Sequence, residues 1–365
     1  MTKEQKNKRN NFNIMGNNYF TKGIMAMLLW VSLFPFTAKA DIQDDYVPDD
    51  YVVYPRGDVN YDLSISISDV TLLIDRLLMD ACLLPDDVNA DGKVSISDVT
   101  ALIDYLLSGE WHWAYTAPEI PADAEVFTVN GVTFAMNFVE GADNISPYSG
   151  FRTDTTAGLQ YVKIKDFYLG QTEVTYELWS AVMGTPIQGT WYVPYEPSPW
   201  HPVESVSAED IEDFISRLNE LTGREFHLPT IAQWRWAKTG GVRSQHYSFP
   251  GSNDISEVAW VLTTLPYQHN WNCVTMPVGL KKPNELGLYD MYGNVWEIMY
   301  NYDALDGDEL VGPTSVVDTR IAVLGGSTHS PQPSPSGTLK WEWGTTYRDH
   351  GPTGMGGIRL AMQKD

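Results

Sequence analysis

The chain has 365 residues, with 47 acidic against 24 basic side chains and a formal net charge of −23. That balance excludes nucleic acid as a partner class, because phosphate binding needs clustered Lys and Arg to displace counterions, whereas carboxylates suit hard cations such as calcium. Hydrophobic residues make up 43%, with 13 Trp, 20 Tyr and 12 Phe, which is ample for a packed core, and the length allows two or three domains.

Residues 1–40 begin with Lys3, Lys6, Lys8, Arg9 and Lys22, continue into an apolar run from Gly23 to Phe36, and end in Ala38-Lys39-Ala40. This order predicts a signal peptide with an A-x-A cleavage site and places the protein outside the cytoplasm, secreted, periplasmic or at the cell surface. The apolar run is short for a bilayer and contains Pro35, and no membrane span is expected there or later. Residues 41–56 are acidic and aromatic without periodicity and read as a linker. Cys82 and Cys273 are the only cysteines, and no spacing supports a disulfide between them.

An internal repeat follows. Asp58, Asn60, Asp62, Ser66 and Asp69 recur 29 residues on as Asp87, Asn89, Asp91, Ser95 and Asp98, so oxygen side chains stand at loop positions 1, 3, 5, 9 and 12 in both copies. This is EF-hand ligand spacing for calcium, with the position-7 carbonyl supplied by Ser64 or Lys93. Position 12 is Asp instead of the longer Glu. Position 6 is Leu63 in the first copy and Gly92 in the second, so the first site is expected to be the weaker. After each loop an apolar stripe at helical spacing (Val70, Leu73, Ile74, Leu77, Leu78, then Val99, Leu102, Ile103, Leu106, Leu107) predicts two helices that bury their stripes against each other. Residues 57–110 therefore resemble a type I dockerin, an all-α module of paired calcium loops and helices. The resemblance implies a cohesin-type partner contacted through Ile67, Ser68, Ile96 and Ser97; the alternative is a calcium-stiffened spacer.

Residues 111–124 carry Pro118 and Pro121 and read as a second linker. From Glu125 to the C-terminus, short alternating stretches such as Val126 to Met136 predict strands. Helices are expected over Glu173–Met183, from Ser207 to a Gly223 stop, and from Thr230 through Trp234 and Trp236. The stretch Gly287 to Glu297 joins two carboxylates, Asp290 and Glu297, around a Gly-Asn turn. On its own it reads equally as a turn with solvated charges or as a loop closed on one hard cation.

Six blocks of residues 125–365 occur in the order found in one family. They are Phe167 to Thr175, His201 to Ser207, Phe226 to Trp234, Pro283 to Glu297, Gly325-Gly326-Ser327, and Gly357-Ile358-Arg359-Leu360. The segment resembles the formylglycine-generating enzyme (sulfatase-modifying factor) family. The resemblance implies a loop-rich α+β fold of the C-type-lectin-like kind. It also implies calcium held by the Asp290 and Glu297 side chains with the carbonyls of Gly293 and Val295.

The family's oxidase uses a pair of copper-binding cysteines after the Gly-Gly-Ser block, and this chain has no Cys from Gly325 onward. Neither copper nor formylglycine-generating activity is expected, and no catalytic residue is assigned. His329, Trp341, Trp343, Tyr347 and Arg348 combine rings with polar groups in the segment corresponding to the family's cleft, which suits a glycan or peptide ligand. Equally, Trp341 and Trp343 at strand spacing would simply pack the core. The expectation is a non-catalytic exported protein with a lectin-like binding face, tethered through its calcium module. The alternative is an enzyme of the same family or a component of a polysaccharide-degrading assembly.

Overall fold

The structure is a computed structural model, and it describes residues 54–83, 86–145, 161–185, 197–261, 263–264, 275–300, 309–311, 321–324 and 356–364. The expected signal peptide, most of the first linker, Cys273, the Gly325–Ser327 block and the ligand candidates His329, Trp341, Trp343, Tyr347 and Arg348 lie outside the described residues.

The repeat folds as two matched loop–helix units, α1 (Ile67–Met79) and α2 (Ile96–Ser108). Each helix starts where a serine hydroxyl takes over the orphan amides of the first turn. Ser66 and Asp69 form a capping box on α1, as Ser95 and Asp98 do on α2. The residues expected at ligand positions 9 and 12 are therefore also the helix caps. Only part of each expected stripe is inside. Val70, Leu73, Val99 and Leu102 are buried with Val59, Val88, Val94 and Cys82. Ile74, Leu78, Ile103, Leu106 and Leu107 are exposed, which corrects the expectation that the stripes bury each other whole. Two short helices can meet along only one narrow line, and the outer half of each stripe is left in water.

The C-terminal segment is built on a five-stranded antiparallel sheet ordered β1-β2-β5-β11-β6. Its strands are β1 (Glu125–Val129), β2 (Val132–Val139), β5 (Phe167–Gly170), β6 (Phe226–His227) and β11 (Ala361–Gln363). β1 and β2 are joined by Asn130-Gly131, both at positive φ, the pairing a two-residue hairpin requires. A second sheet is ordered β10 (Gly356–Ile358), β7 (Trp296–Tyr300), β9 (Ile321–Leu324), with β10 parallel to β7. A third joins β3 (Ala142–Ile145), β4 (Tyr161–Ile164) and β8 (Glu309–Val311).

Helix α3 spans Tyr176–Met183, later than expected, because Thr175 and not Thr172 is its cap. Helix α4, Ala208–Thr222, is bounded by Ser207 and Gly223 as read from the sequence. Helix α5, Ile231–Lys238, starts from a Thr230–Gln233 capping box. Trp179 of α3 stacks on Phe214 of α4 at 4.7 Å, and both helices cover the main sheet through Leu178, Ile211 and Leu218. The result is the loop-rich α+β arrangement expected.

Candidate metal centres

The two loops of the repeat carry the same hydrogen-bond pattern in register. Asp58 accepts from the amides of Asp62 and Leu63 at 3.1 and 2.7 Å, as Asp87 does from Asp91 and Gly92 at 3.1 and 2.9 Å. Asp69 reaches back to the amides of Val59 and Asn60, and Asp98 to that of Asn89, so position 12 ties the start of each loop to the helix that follows. Asn60 and Asn89 donate to Ser68 and Ser97, both at 2.9 Å. Asp62 and Asp91 accept from the amides of Ser64 and Lys93 at 3.0 and 2.9 Å. The serines expected at the partner surface are thus hydroxyl-bonded into the loops beneath them.

Four of these carboxylates, Asp58, Asp69, Asp87 and Asp98, are buried. Loss of solvation pushes Asp87 up to about 6 and Asp98 up to about 7, and the charge of Asp87 adds to the shift of Asp98. Among the described residues no three His, Cys, Asp or Glu side chains close up into a ready metal cluster, and the loop carboxylates face backbone amides instead. The donor set nevertheless fits a hard cation, since carboxylate, amide and carbonyl oxygens are crowded into one tight turn and two carboxylates of each loop are buried.

A second centre gathers residues from four of the six sequence blocks. Arg359 is fully buried and donates from Nε and Nη2 to the two oxygens of Glu297 at 2.9 and 2.8 Å. Its remaining N–H groups reach the carbonyls of Gly170 and Tyr289, each at 3.0 Å. The Trp234 indole donates to Glu297 at 2.7 Å. Glu173 accepts from the Asn294 side chain at 2.9 Å and the Val295 amide at 3.3 Å. Asp290 accepts from the Gly279 amide at 2.7 Å through Oδ2, while its buried Oδ1 makes no hydrogen bond.

Three buried carboxylates thus share one guanidinium. Burial raises Glu173 well above its usual range, with Asp290 adding to it, and burial pushes Asp290 up to about 6. Glu297, expected to share a cation with Asp290, spends both oxygens on Arg359 and Trp234. Asp290 alone keeps a free oxygen for one. Asp290, Gly293 and Asn294 all sit at positive φ, and a side chain at Gly293 would strike the Trp260 carbonyl. Glu173 and Arg359 escaped assignment from sequence. Glu173 read as part of a helix, and Arg359 as one residue of a terminal block with no partner in view.

Cys82 is a buried free thiol in the helical module. His201 is buried and accepts at Nδ1 from the Ser198 amide at 3.1 Å. Burial pushes its pKa down to about 3 and keeps the ring neutral. No helix among the described residues is long and apolar enough to cross a membrane.

Comparison with known proteins agrees with both halves of this description. A family model for the sulfatase-modifying factor enzyme 1-like domain matches residues 115–364, and one for the dockerin type I domain matches residues 56–107. Dockerin domains of this type generally bind calcium, and dockerins bind cohesins. The chain is 33% identical over 175 residues to chaperone protein LppX of Paenibacillus barcinonensis, covering 37% of this chain and 62% of that protein. It is 29% identical over 157 residues to the formylglycine-generating enzyme of Thermomonospora curvata, covering 39% of this chain and 48% of that enzyme. It therefore spans less than two thirds of the length of either curated relative. Among solved structures, Treponema denticola variable protein 1 aligns with a TM-score of 0.49 at 23% identity, covering 67% of this chain and all of that one. PvdO from Pseudomonas aeruginosa aligns with a TM-score of 0.47 at 18% identity, over 67% of this chain and all of that one. Matched over well more than half its length, this chain belongs to the sulfatase-modifying factor enzyme 1-like family and carries a dockerin type I domain ahead of that region.

Proposed function

We propose that this protein is an exported, non-oxidase member of its family, anchored through a calcium-loaded dockerin domain to a cohesin-bearing partner. Its C-terminal domain then serves as a scaffold for glycan or peptide binding. The observation that carries the non-oxidase reading is the placement of the thiols. Cys82 is buried in the helical module, and Cys273 is the only other cysteine in the chain. A two-thiolate copper site needs a pair of cysteines in one place, and this chain has one cysteine to offer the C-terminal domain.

In this reading the dockerin loops hold calcium through Asp58, Asn60, Asp62, Asp69 and their counterparts Asp87, Asn89, Asp91, Asp98. The free oxygen of Asp290, with the carbonyls of Gly293 and Val295, holds another ion. Calcium supplies charge compensation at all of these places and no redox chemistry. Ile67 and Ile96, 70% and 71% exposed on matching first turns, form the partner surface. The segment from His329 to Arg348 supplies the ligand face.

The test is to incubate the purified chain with copper and a sulfatase-type cysteine peptide. No formylglycine is expected, and its appearance would overturn the proposal. A glycan and peptide array run with and without chelator then identifies the ligand class.

A further inference from the structure

We infer that calcium binding in the second dockerin loop is coupled to the Asp290–Asn294 turn of the C-terminal domain more strongly than calcium binding in the first loop is. This rests on the reading that both loops bind calcium. It goes beyond that reading by giving the two near-identical repeats different roles.

The observation is a continuous chain of contacts from one centre to the other. At loop position 6, Gly92 is buried so closely against Leu280 that a Cβ would come within 2.8 Å of its Cδ1. The Asn89 carbonyl of the same loop accepts from the Ala114 amide at 3.0 Å. Arg56 donates to the carbonyls of Asp87 and Val88 at 3.0 and 3.4 Å and lies 5.0 Å over the Trp113 ring. Trp113 meets Trp200 edge-on at 5.4 Å, and Tyr115 stacks on Trp200 at 4.5 Å while its hydroxyl donates to the Val278 carbonyl at 3.1 Å.

On its other side, the segment that carries Val278 and Leu280 is fastened to the turn. The Gly279 amide donates to Asp290 at 2.7 Å, and Met276 exchanges hydrogen bonds with the Asn294 side chain through both its N–H and its carbonyl, at 2.9 and 3.0 Å. Residues 276–280 are thus held by the second loop on one face and by the Asp290–Asn294 turn on the other. At the equivalent position of the first loop, Leu63 is 54% exposed among the described residues.

Emptied of its ion, the second loop has three buried or half-buried carboxyl groups to accommodate, Asp87, Asp91 and Asp98, and it relaxes by opening its turn. In the second loop that motion withdraws Gly92 and Asn89 from the surface they support. If opening of residues 276–280 requires release of the ion, the open population falls by the factor 1 + [Ca]/Kd, about tenfold at calcium ten times the dissociation constant. By linkage, order in the turn raises the affinity of the second loop in return, by the factor 1 + Kopen when the turn is locked closed, where Kopen is the open-to-closed ratio without calcium.

The experiment is hydrogen exchange read by mass spectrometry on the full chain, in an Asp290→Asn background so that any ion at the turn itself makes no contribution. Titration calorimetry first counts the ions bound. Calcium is expected to slow exchange in peptides covering residues 275–281 about tenfold. Asp91→Ala should abolish that protection, and the matched change Asp62→Ala in the first loop should leave most of it. Leu280→Ala should keep the ion count and lose the protection. Loss of an ion in Asp91→Ala with protection unchanged overturns the coupling while leaving calcium binding standing. An ion count that neither Asp62→Ala nor Asp91→Ala reduces overturns the calcium reading itself, and the coupling with it.

Discussion

Arg359 closes on Glu297 across 62 residues of sequence, donating to its two carboxylate oxygens at 2.8 and 2.9 Å with both side chains out of contact with solvent. The fork geometry ties the link between β10 and β11 to β7, of which Glu297 is the second residue. Removing one partner of such a pair strands the other charge in the core, which typically costs about 3–5 kcal/mol. Glu297→Gln and Arg359→Met should each lower the denaturation midpoint of the C-terminal domain by an amount of that order. Arg359→Lys should rescue little, because an ammonium cannot make the two parallel bonds. Urea denaturation followed by tryptophan fluorescence measures this, and a midpoint like that of the wild type in Glu297→Gln would refute it.

The excess of carboxylates predicts an inverted pH profile in chelator. Asp87 and Asp290 are pushed up to about 6 and Asp98 to about 7, above the ordinary 3.8. Between roughly pH 4 and 7 the folded state therefore holds more protons than the unfolded chain, so stability falls as pH rises through that window. The penalty is absent below the unfolded pKa and complete above the folded one, each unit of raised pKa being worth about 1.4 kcal/mol. Calcium replaces the protons, so saturating calcium should flatten the fall. Thermal midpoints from pH 4 to 8, with calcium and with chelator, check both halves.

Asp290→Asn should change sign with conditions. Its Oδ2 bond to the Gly279 amide survives in the amide oxygen, while one of three mutually repelling carboxylates is lost. In chelator at pH 7 the variant should be more stable than the wild type. In calcium it should be less stable, because the free Oδ1 no longer serves as an anionic ligand. Equal shifts in both conditions would argue against an ion at this turn.

How much of this was legible follows from the range of the interactions. The repeat is local, so its period and the two helices are legible between Asp58 and Ser108, whereas the capping boxes of Ser66 with Asp69 and Ser95 with Asp98 emerge only in the structure. The α4 boundaries, Ser207 and Gly223, were readable for the same reason. Periodicity could not say which half of each apolar stripe faces inward, since Leu73 and Leu78 look alike in sequence and differ only in what packs opposite. Residues 111–124 looked like a linker because Pro118 and Pro121 break regular structure. Their backbone is indeed irregular, but Tyr115 bonds to Val278 across 163 residues, and no local signal encodes that contact. Glu173 was assigned to a helix for want of sight of Asn294, its partner 121 residues away.

The dockerin surface yields a prediction about binding free of folding effects. Ile67 and Ile96 are 70% and 71% exposed, so Ile67→Asp with Ile96→Asp removes apolar contact area without opening the core. Cohesin binding should be lost by calorimetry or pull-down, with the thermal midpoint unchanged within about 1–2 °C. Retained binding would move the partner surface elsewhere on the helices.

The two loops differ most at position 6. Leu63 holds φ at +69° where Gly92 holds +84°, and a side chain in that region costs about 1–2 kcal/mol that glycine avoids. An ion-free loop can relax away from the conformation, so much of the strain is charged against calcium binding. Leu63 is more than half exposed, so little packing is lost when it is removed. Leu63→Gly should therefore tighten the first site by about fivefold to tenfold, which corresponds to about 1 kcal/mol or slightly more. Part of the gain in overall stability is offset by the greater freedom of glycine in the unfolded chain, so the effect should be clearer in calcium affinity than in the melting temperature. The reverse change, Gly92→Leu, combines the same backbone strain with a collision against Leu280 and should weaken the second site by more than Leu63→Gly strengthens the first. Titration calorimetry on the two variants decides this, and an unchanged first-site affinity in Leu63→Gly would show that the strain persists in the empty loop.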